Sequence, residues 1–419
     1  MNKTIKGISL EIGSGITPLR SNELYWNSPD IPWIKTEQLG QYKIFDSTEY
    51  ISDFALEDTN IRLWSPHTVS VAMYGEGKTR GNASILMIET ATNQACCNIK
   101  VNNALADYRF LYYWLKNNYE NLRTLSAGVR KNLNADDIKN FPFPENSLPE
   151  QEKIADVLSV VDDKIELNSK ICSELESMAK ALYDYWFVQF DFPDENGKPY
   201  RTSGGEMVWN EQLKRKIPKR WKAKNIQDVC AIVDCLHSKK PDLSFESENY
   251  YLLQLDNLVD MGLLDLSNKY YVSANNYAAW TSKIEVRCGD LVITNAGRVG
   301  DIARIPKGII CGIGRNMTAI RAVNVDPIFM YYFFASSDMK AQIKTNTDTG
   351  SFFGSLNIRG IKQLIMPIPP EKSEIMNRFI DIVHPIRENL EMVALQSQEL
   401  SKLRDWLLPM LMNGQARVE

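Results

Sequence analysis

The chain has 419 residues, 44% hydrophobic and 24% charged, a length that gives two or three domains each its own core. A formal net charge of −4 excludes the overall basic excess of a protein that holds DNA unaided, so any basic contacts must be local or shared with a partner. No run of about eighteen apolar residues occurs, and the N-terminal MNKTIKGISLEIG lacks an apolar signal core, which predicts a cytoplasmic protein with no membrane segment.

Each half opens with short β-type runs separated by Gly, Asn and Pro, such as Leu291-Val292-Ile293-Thr294 in the second and Ser70-Val71-Ala72-Met73 in the first. Trp26 and Trp33 are expected to pack beneath the loops of this first domain. The next stretch, Ala72-Met-Tyr-Gly-Glu-Gly-Lys-Thr-Arg-Gly81, nearly spells a phosphate-binding loop, with Gly77-Lys78-Thr79 in the place of G-K-[ST]. In a true loop of that kind the Lys-Thr pair opens a helix whose N–H groups cradle phosphates. Here Arg80-Gly81 and the β-type run Ala83-Ser-Ile-Leu-Met-Ile88 follow, which argues against a nucleotide-dependent enzyme. The turn is either plain hairpin chemistry or a loop that offers Lys78 and Arg80 to a phosphate backbone.

Past Asp107-Tyr-Arg-Phe-Leu-Tyr-Tyr113 and a Pro cluster at Phe141-Pro-Phe-Pro144, a long helix is predicted. Its apolar seam falls at Ile154, Leu158, Val161, Ile165, Asn168, Cys172, Leu175, Ala179, Leu182 and Trp186, spaced alternately four and three. Tyr183, Tyr185, Trp186 and Phe187 at its end are read as packing against the base of the second domain. Residues 190–224 read as a linker whose cluster Lys214-Arg-Lys216, Lys219-Arg220, Lys222 and Lys224 is a solvated face or a non-specific phosphate contact.

The remainder repeats the first half at a shift of about 221 residues. Ile8, Leu10 and Ile12 fall on Val229, Ala231 and Val233, and Tyr50-Ile51-Ser52 on Tyr271-Val272-Ser273. Asp107–Tyr113 meets Asp326-Pro-Ile-Phe-Met-Tyr-Tyr332, and Leu133-Asn134 meets Leu356-Asn357. The near-phosphate loop falls on Asn295-Ala-Gly-Arg-Val-Gly-Asp301, which loses the Lys-Thr but keeps two glycines and the cation Arg298. Asp326-Pro-Ile-Phe329 is the nearest thing to a methylation motif, yet it lacks the second proline and reads as a helix start. A second long helix follows Met366-Pro-Ile-Pro-Pro370, with a seam at Ile375, Phe379, Ile382, Ile386, Asn389, Val393, Gln396, Leu400, Leu403 and Leu407. Asparagines at the same step of both seams, Asn168 and Asn389, predict that the helices pair with each other in fixed register; an antiparallel pair would bring them within about 6 Å along the axis. Two separate amphipathic helices, each on its own domain, are the alternative. Pro385 is expected to kink or break the second helix. The seven cysteines form no CxxC pair and only three histidines accompany them, so buried free thiols are expected rather than a metal site or disulfides.

With these features in place the chain resembles the specificity (S) subunit of a type I restriction–modification system. Leu148-Pro-Glu-Gln-Glu-Lys-Ile-Ala155 resembles the family's Pro-x-x-Glu-Gln-x-x-Ile-Ala helix start, shortened by one or two positions. Glu176-Ser-Met-Ala-Lys-Ala-Leu-Tyr-Asp-Tyr-Trp-Phe-Val188 and Leu403-Arg-Asp-Trp-Leu-Leu-Pro409 resemble the ends of the two conserved helices. Asp30-Ile-Pro-Trp-Ile34, Met73–Gly81 and Thr92-Asn-Gln-Ala95 resemble phrases of target recognition domains. The second half departs further, with Leu252-Leu-Gln-Leu255 where the first has Ile-Pro-Trp, and Pro369-Pro-Glu-Lys-Ser-Glu-Ile-Met376 without the Glu-Gln pair.

The resemblance implies an α+β protein of two similar α/β target recognition domains, each followed by a long helix, the helices forming an antiparallel coiled coil. The implied layout is a first recognition domain at 1–147, a helix at 148–189, the linker at 190–224, a second recognition domain at 225–368, a helix at 369–412 and a tail at 413–419. Each recognition domain would read one half of an asymmetric bipartite duplex. The helices would set the gap and dock two methyltransferase (M) subunits, joined by restriction (R) subunits. The chain itself would have no cofactor and no catalytic residue; S-adenosylmethionine, ATP and Mg belong to the partners. Ten seam positions span roughly 48 Å of helix, room for two major-groove faces about one 34 Å turn or slightly more apart. The alternative is a stand-alone sequence-specific DNA-binding protein.

Base readout favours Arg, Lys, Asn and Gln, whereas phosphate contacts need cations, hydroxyls or N–H groups. The candidates are Lys35, Thr36, Lys78, Arg80, Arg130, Lys131 and Asn132 in the first domain, and Gln254, Asn257, Arg298, Arg315, Asn316 and Ser351 in the second. Each competes with the reading of a solvated surface residue.

Overall fold

The computed structural model describes residues 3–75, 77–126, 132–236, 241–244, 249–348, 354–370 and 373–418. The chain divides into two units, Met1–Lys164 with Leu400–Glu419, and Ile165–Glu399.

In the first unit a short helix α1 (Ile5–Ile8) leads into β1 (Ser9–Ser14), followed by β2 (Ile31–Ile34), β3 (Lys43–Ile44), β4 (Tyr50–Ile51), α2 (Asp53–Asp58), β5 (Thr68–Ala72), β6 (Ala83–Leu86), β7 (Ala91–Thr92) and β8 (Cys96–Val101). One sheet has the order β1-β8-β5-β6-β3 and a second the order β4-β2-β7. β5 and β6 are buried along their whole length, as expected of β-branched runs covered on both faces. Helices α3 (Tyr108–Asn117), α4 (Tyr119–Thr124) and α5 (Ala135–Lys139) cover the larger sheet, and the first turns of α6 (Leu148–Tyr183) pack Ile154, Ala155 and Leu158 into the same core. Asp107 caps α3, accepting from the N–H groups of Arg109 and Phe110.

The second unit begins inside α6. A π-helical turn at Asp184–Val188 ends that helix. Phe187 then packs edge-on against Phe329 at 4.8 Å and Phe379 at 5.0 Å, and Tyr183 and Trp186 join the same core as expected, whereas Tyr185 is 39% exposed and stays outside it. Residues 190–224 are not an open linker. They form a hairpin of β9 (Met207–Asn210) and β10 (Arg215–Pro218), then β11 (Lys222–Asn225), and they bury Phe190, Phe192 and Trp221 in the core. The basic cluster is partly neutralised there, Arg215 pairing with Asp338 and Lys219 with Glu206.

Next come β12 (Cys230–Asp234), β13 (Tyr251–Leu253), β14 (Leu258–Val259), β15 (Leu263–Leu264), β16 (Tyr270–Tyr271), α7 (Ala274–Trp280), β17 (Leu291–Thr294), β18 (Ile302–Arg304), β19 (Gly312–Ile313) and β20 (Met317–Ala322). The sheets β12-β20-β17-β18 and β16-β13-β19 repeat the strand orders of the first unit, less its last edge strand. Helices α8 (Pro327–Ala335), α9 (Ser337–Asn346) and α10 (Ile358–Gln363) precede β21 (Ile365–Ile368) and α11 (Glu374–Met412). Asp326 caps α8 as Asp107 caps α3, so the Asp-Pro-Ile-Phe phrase is a helix start.

α11 runs unbroken through Pro385, an exposed position where the carbonyl left without a donor can be hydrated. Its buried row differs from the expected seam. Ile382 and Leu403 are 46% and 44% exposed, while Val383, Arg387, Leu390 and Glu391 are buried. The inner positions carry charges, and an apolar count along the sequence slides past them. Within the second unit Asn168 donates to Gln396 Oε1 (3.0 Å) and Ser397 Oγ (3.1 Å), the Cys172 thiol approaches Leu390 O (3.6 Å), and Glu176 pairs with Arg387 (3.2 Å), so α6 and α11 run in opposite directions there. Asn389 is exposed and does not meet Asn168.

All seven cysteines are free, and only Cys288 is exposed. Among the described residues no helix is long and apolar enough to cross a membrane.

Candidate nucleic-acid interface

Both units build the same hydrogen-bonded frame at one end of their sheets. In the first, Asn93 N–H donates to Ile34 O (2.9 Å), Met73 N–H to Ala95 O (2.8 Å) and Leu133 N–H to Met73 O (3.0 Å). In the second, Gly314 donates to Leu253 O (2.8 Å), Asn295 to Asn316 O (2.7 Å) and Leu356 to Asn295 O (2.8 Å). These bonds tie the chain after β2 or β13, the β5–β6 or β17–β18 connection, the turn before β8 or β20, and the approach to α5 or α10. Gly314 is required at its position, since a Cβ would lie 2.5 Å from Leu253 O and 2.6 Å from Gln254 Nε2.

The frame brings together Lys35, Thr36, Lys78, Arg80 and Asn132 in the first unit, and Gln254, Arg298, Arg315 and Asn316 in the second. Arg130, Lys131 and Ser351 lie outside the described residues. Lys78 and Asn132 are exposed; Thr36 and Arg80 are half-buried. Gly77-Lys78-Thr79 leads into strand β6, with no helix to cradle a phosphate, and Tyr119 Oη donates to Lys78 O at 2.6 Å to hold the loop. Lys35 is held by Glu49 (2.5 Å), which raises the lysine's pKa and lowers that of the carboxyl, so both remain charged near neutrality. Arg298 is exposed, yet its guanidinium donates to Leu258 O (2.7 Å) and Leu255 O (2.5 Å), and pairs with Asp301 (3.1 Å). It braces the loop as well as facing water. Asn316 turns the chain at φ 62°.

Asn257 does not fit a reading role. It is 5% exposed; its amide donates to Asp265 O (2.8 Å) and Asn268 O (2.9 Å), and its Oδ1 accepts from Gln254 N–H (2.8 Å). A residue so engaged has nothing to present to a base edge. Trp33 is buried with Trp26 edge-on against it (5.2 Å), as expected of loop supports.

Two further residues stand beside these candidates and were not singled out in the sequence. Arg20 stacks over Trp26 (3.7 Å to the ring centroid) and pairs with Glu49 (2.6 Å), which leaves one net positive charge on the Arg20–Glu49–Lys35 set. Gln94 is exposed between Asn93 and Ala95, with its Oε1 accepting from the Thr17 hydroxyl. The signal for Gln94 was present, because at the repeat shift it falls on Arg315.

The fold and this repeated frame define a class: a duplicated α/β unit with long helices, the frame carrying loop side chains in both copies. The family model for the type I restriction modification DNA specificity domain matches residues 1–177. The type I restriction enzyme MjaIX specificity subunit of Methanocaldococcus jannaschii is 26% identical over all of this chain and 93% of its own length. The HindI specificity subunit of Haemophilus influenzae is 22% identical over 66% of this chain and 68% of its own. A crystal structure of a type I restriction–modification S subunit from M. genitalium shares the fold at a TM-score of 0.61, with 19% identity over 98% of this chain and 95% of that one. Along its whole length the chain is thus similar to type I restriction–modification specificity subunits, and its first part matches their DNA specificity domain.

Proposed function

We propose that this chain is the DNA sequence-specificity subunit of a type I restriction–modification complex, and that each of its two units reads one half of an asymmetric, bipartite duplex target. The observation that carries this reading is the frame repeated bond for bond with different side chains mounted on it. A duplicated scaffold fixes how the loops meet a groove, and the unlike side chains make the two half-sites differ. The layout of recognition domains and helices set out from the sequence stands as part of the proposal, except that residues 190–224 belong with the second unit.

In this reading α6 and α11 pair as an antiparallel coiled coil that fixes the gap between half-sites and docks two methyltransferase subunits. The buried amide of Asn168, bound to Gln396 and Ser397, holds the register. The complex works in the cytoplasm. The chain is non-catalytic and carries no cofactor; methylation of adenine with S-adenosylmethionine, and ATP- and Mg-dependent cleavage, fall to the methyltransferase and restriction subunits.

The net charge of −4 sharpens the test, since a chain so balanced is expected to hold duplex DNA only with its partners. Duplex binding is measured by fluorescence anisotropy for the full chain alone and for the chain with its methyltransferase subunits, between about 50 and 200 mM salt. Weak binding alone, and tight salt-sensitive binding by the complex, is the expected result. Tight specific binding by the chain alone would instead mark a stand-alone DNA reader.

A further inference from the structure

We infer that the middle residue of the three-residue connection before β8 and before β20 is a matched base-reading position, with Gln94 specifying an adenine in one half-site and Arg315 a guanine in the other. The inference rests on the two-half reading proposed above and adds to it which base each of these two residues selects. In both units the connection runs from the end of a short strand (Thr92, Ile313) to the start of a six-residue one (Cys96, Met317), so three residues bridge them. Its first N–H and its last carbonyl are held by the same two framework bonds in each unit. Gln94 and Arg315 are therefore mounted alike, and both are exposed. What changes between the units at this point is the side chain.

The chemistry of the two side chains sorts the bases. A glutamine amide accepts from adenine N6–H and donates to N7, and a guanidinium donates to both O6 and N7 of guanine. Gln94 is oriented for its part. The Thr17 hydroxyl donates to its Oε1, leaving that oxygen a second lone pair and the Nε2 both hydrogens. Among the described residues Arg315 has no side-chain partner. The neighbouring candidates are more constrained: Lys35 is held by Glu49, Arg298 by two carbonyls, and Asn257 is buried.

The test sequences adenine methylation in cells that produce the full chain together with the adenine methyltransferase subunit of its complex. The unmodified chain, Gln94→Arg and Arg315→Gln are compared, with thermal melting of each chain as a check on folding. The expected result is a two-part motif in which Gln94→Arg exchanges one adenine for guanine in one half only, and Arg315→Gln exchanges one guanine for adenine in the other. Preference at that base pair should move roughly 5- to 150-fold, with the gap and the remaining positions unchanged. Where a swapped variant methylates nothing, the alanine variants decide: relaxation at a single base pair supports the assignment. An unchanged motif in the swapped or alanine variants overturns the assignment and leaves the two-half reading standing. If the unmodified chain directs no motif, the two-half reading fails, and the assignment with it.

Discussion

Both units carry a buried Tyr-Tyr pair beside the long helices, reaching them through one hydroxyl in the first unit and two in the second, and the charges buried there differ. In the first, Tyr113 Oη donates to Asp162 of α6 (2.8 Å), and Asp162 pairs with Arg404 of α11 (2.7 Å). In the second, Tyr331 and Tyr332 lie 3.0 and 3.1 Å from the carboxylate of Glu176, which also meets Arg387. Arg387 is fully buried. It donates to Glu391 (2.8 Å), Met261 O (2.8 Å) and Gly262 O (2.7 Å), and it lies over the Tyr331 ring at 4.0 Å. Arg304 closes the set, its Nη1 donating to both oxygens of Glu391 (2.8 and 2.6 Å). Two guanidiniums and two carboxylates thus sit in the interior; carbonyls and tyrosine hydroxyls meet Arg387 and Glu176, while Arg304 Nε is buried without a partner among the described residues. Gly262, at φ 61°, is needed for this, because a Cβ there would lie 2.2 Å from Tyr331 Cε2. The duplication kept the backbone frame and the tyrosines, whereas the buried charge set is particular to each junction, and in the second unit it selects which face of α11 turns inward.

The largest break in this comparison comes from Arg387→Ala. It strands Glu176 and Glu391 in the interior and should cost about 3–5 kcal/mol in urea unfolding. Arg404→Ala should cost less, about 2–3 kcal/mol, because Asp162 keeps the Tyr113 hydroxyl. A larger loss at Arg404 than at Arg387 would reverse the ranking of the two junctions. Asn168→Leu has the opposite sign. The Oδ1 of Asn168 is buried without a partner, so an apolar residue should be neutral or raise stability by up to about 1 kcal/mol while loosening the helix register. Thermal melting reads the first effect, and a clear fall in melting temperature would show that the asparagine is a net stabiliser. The smallest effect leaves stability untouched. Burial pushes the thiols of Cys96, Cys97, Cys230 and Cys311 up to about 12, and Cys172 and Cys235 are buried too. Below that range these thiols stay protonated and shielded, so a thiol reagent at pH 8 should modify Cys288 quickly and all seven cysteines only after unfolding. Rapid reaction of several thiols in the native chain would mean that the sheets open locally.

The duplication, the caps at Asp107 and Asp326 and the strand that follows Gly77-Lys78-Thr79 were legible because each is written in neighbouring residues. The phase of α11 was not, since Arg387 and Glu391 take inner positions that an apolar pattern assigns to Ile382 and Ile386. Residues 190–224 read as a linker because their charges are local, while the partners of Phe190 and Trp221 lie far along the chain. Asn257 looked like a reading residue and Gln94 did not, because an amide's use depends on the carbonyls that reach it. Those carbonyls come from Asp265 and Asn268, several residues downstream in the folded loop.

The proposed arrangement is two unlike readers on one chain. Its most direct test is the adenine-methylation map of cells producing this chain with and without its methyltransferase subunit. The expected result is one new motif of two different halves separated by a fixed gap, present only when both proteins are made. A continuous or palindromic motif, or none at all, would contradict it.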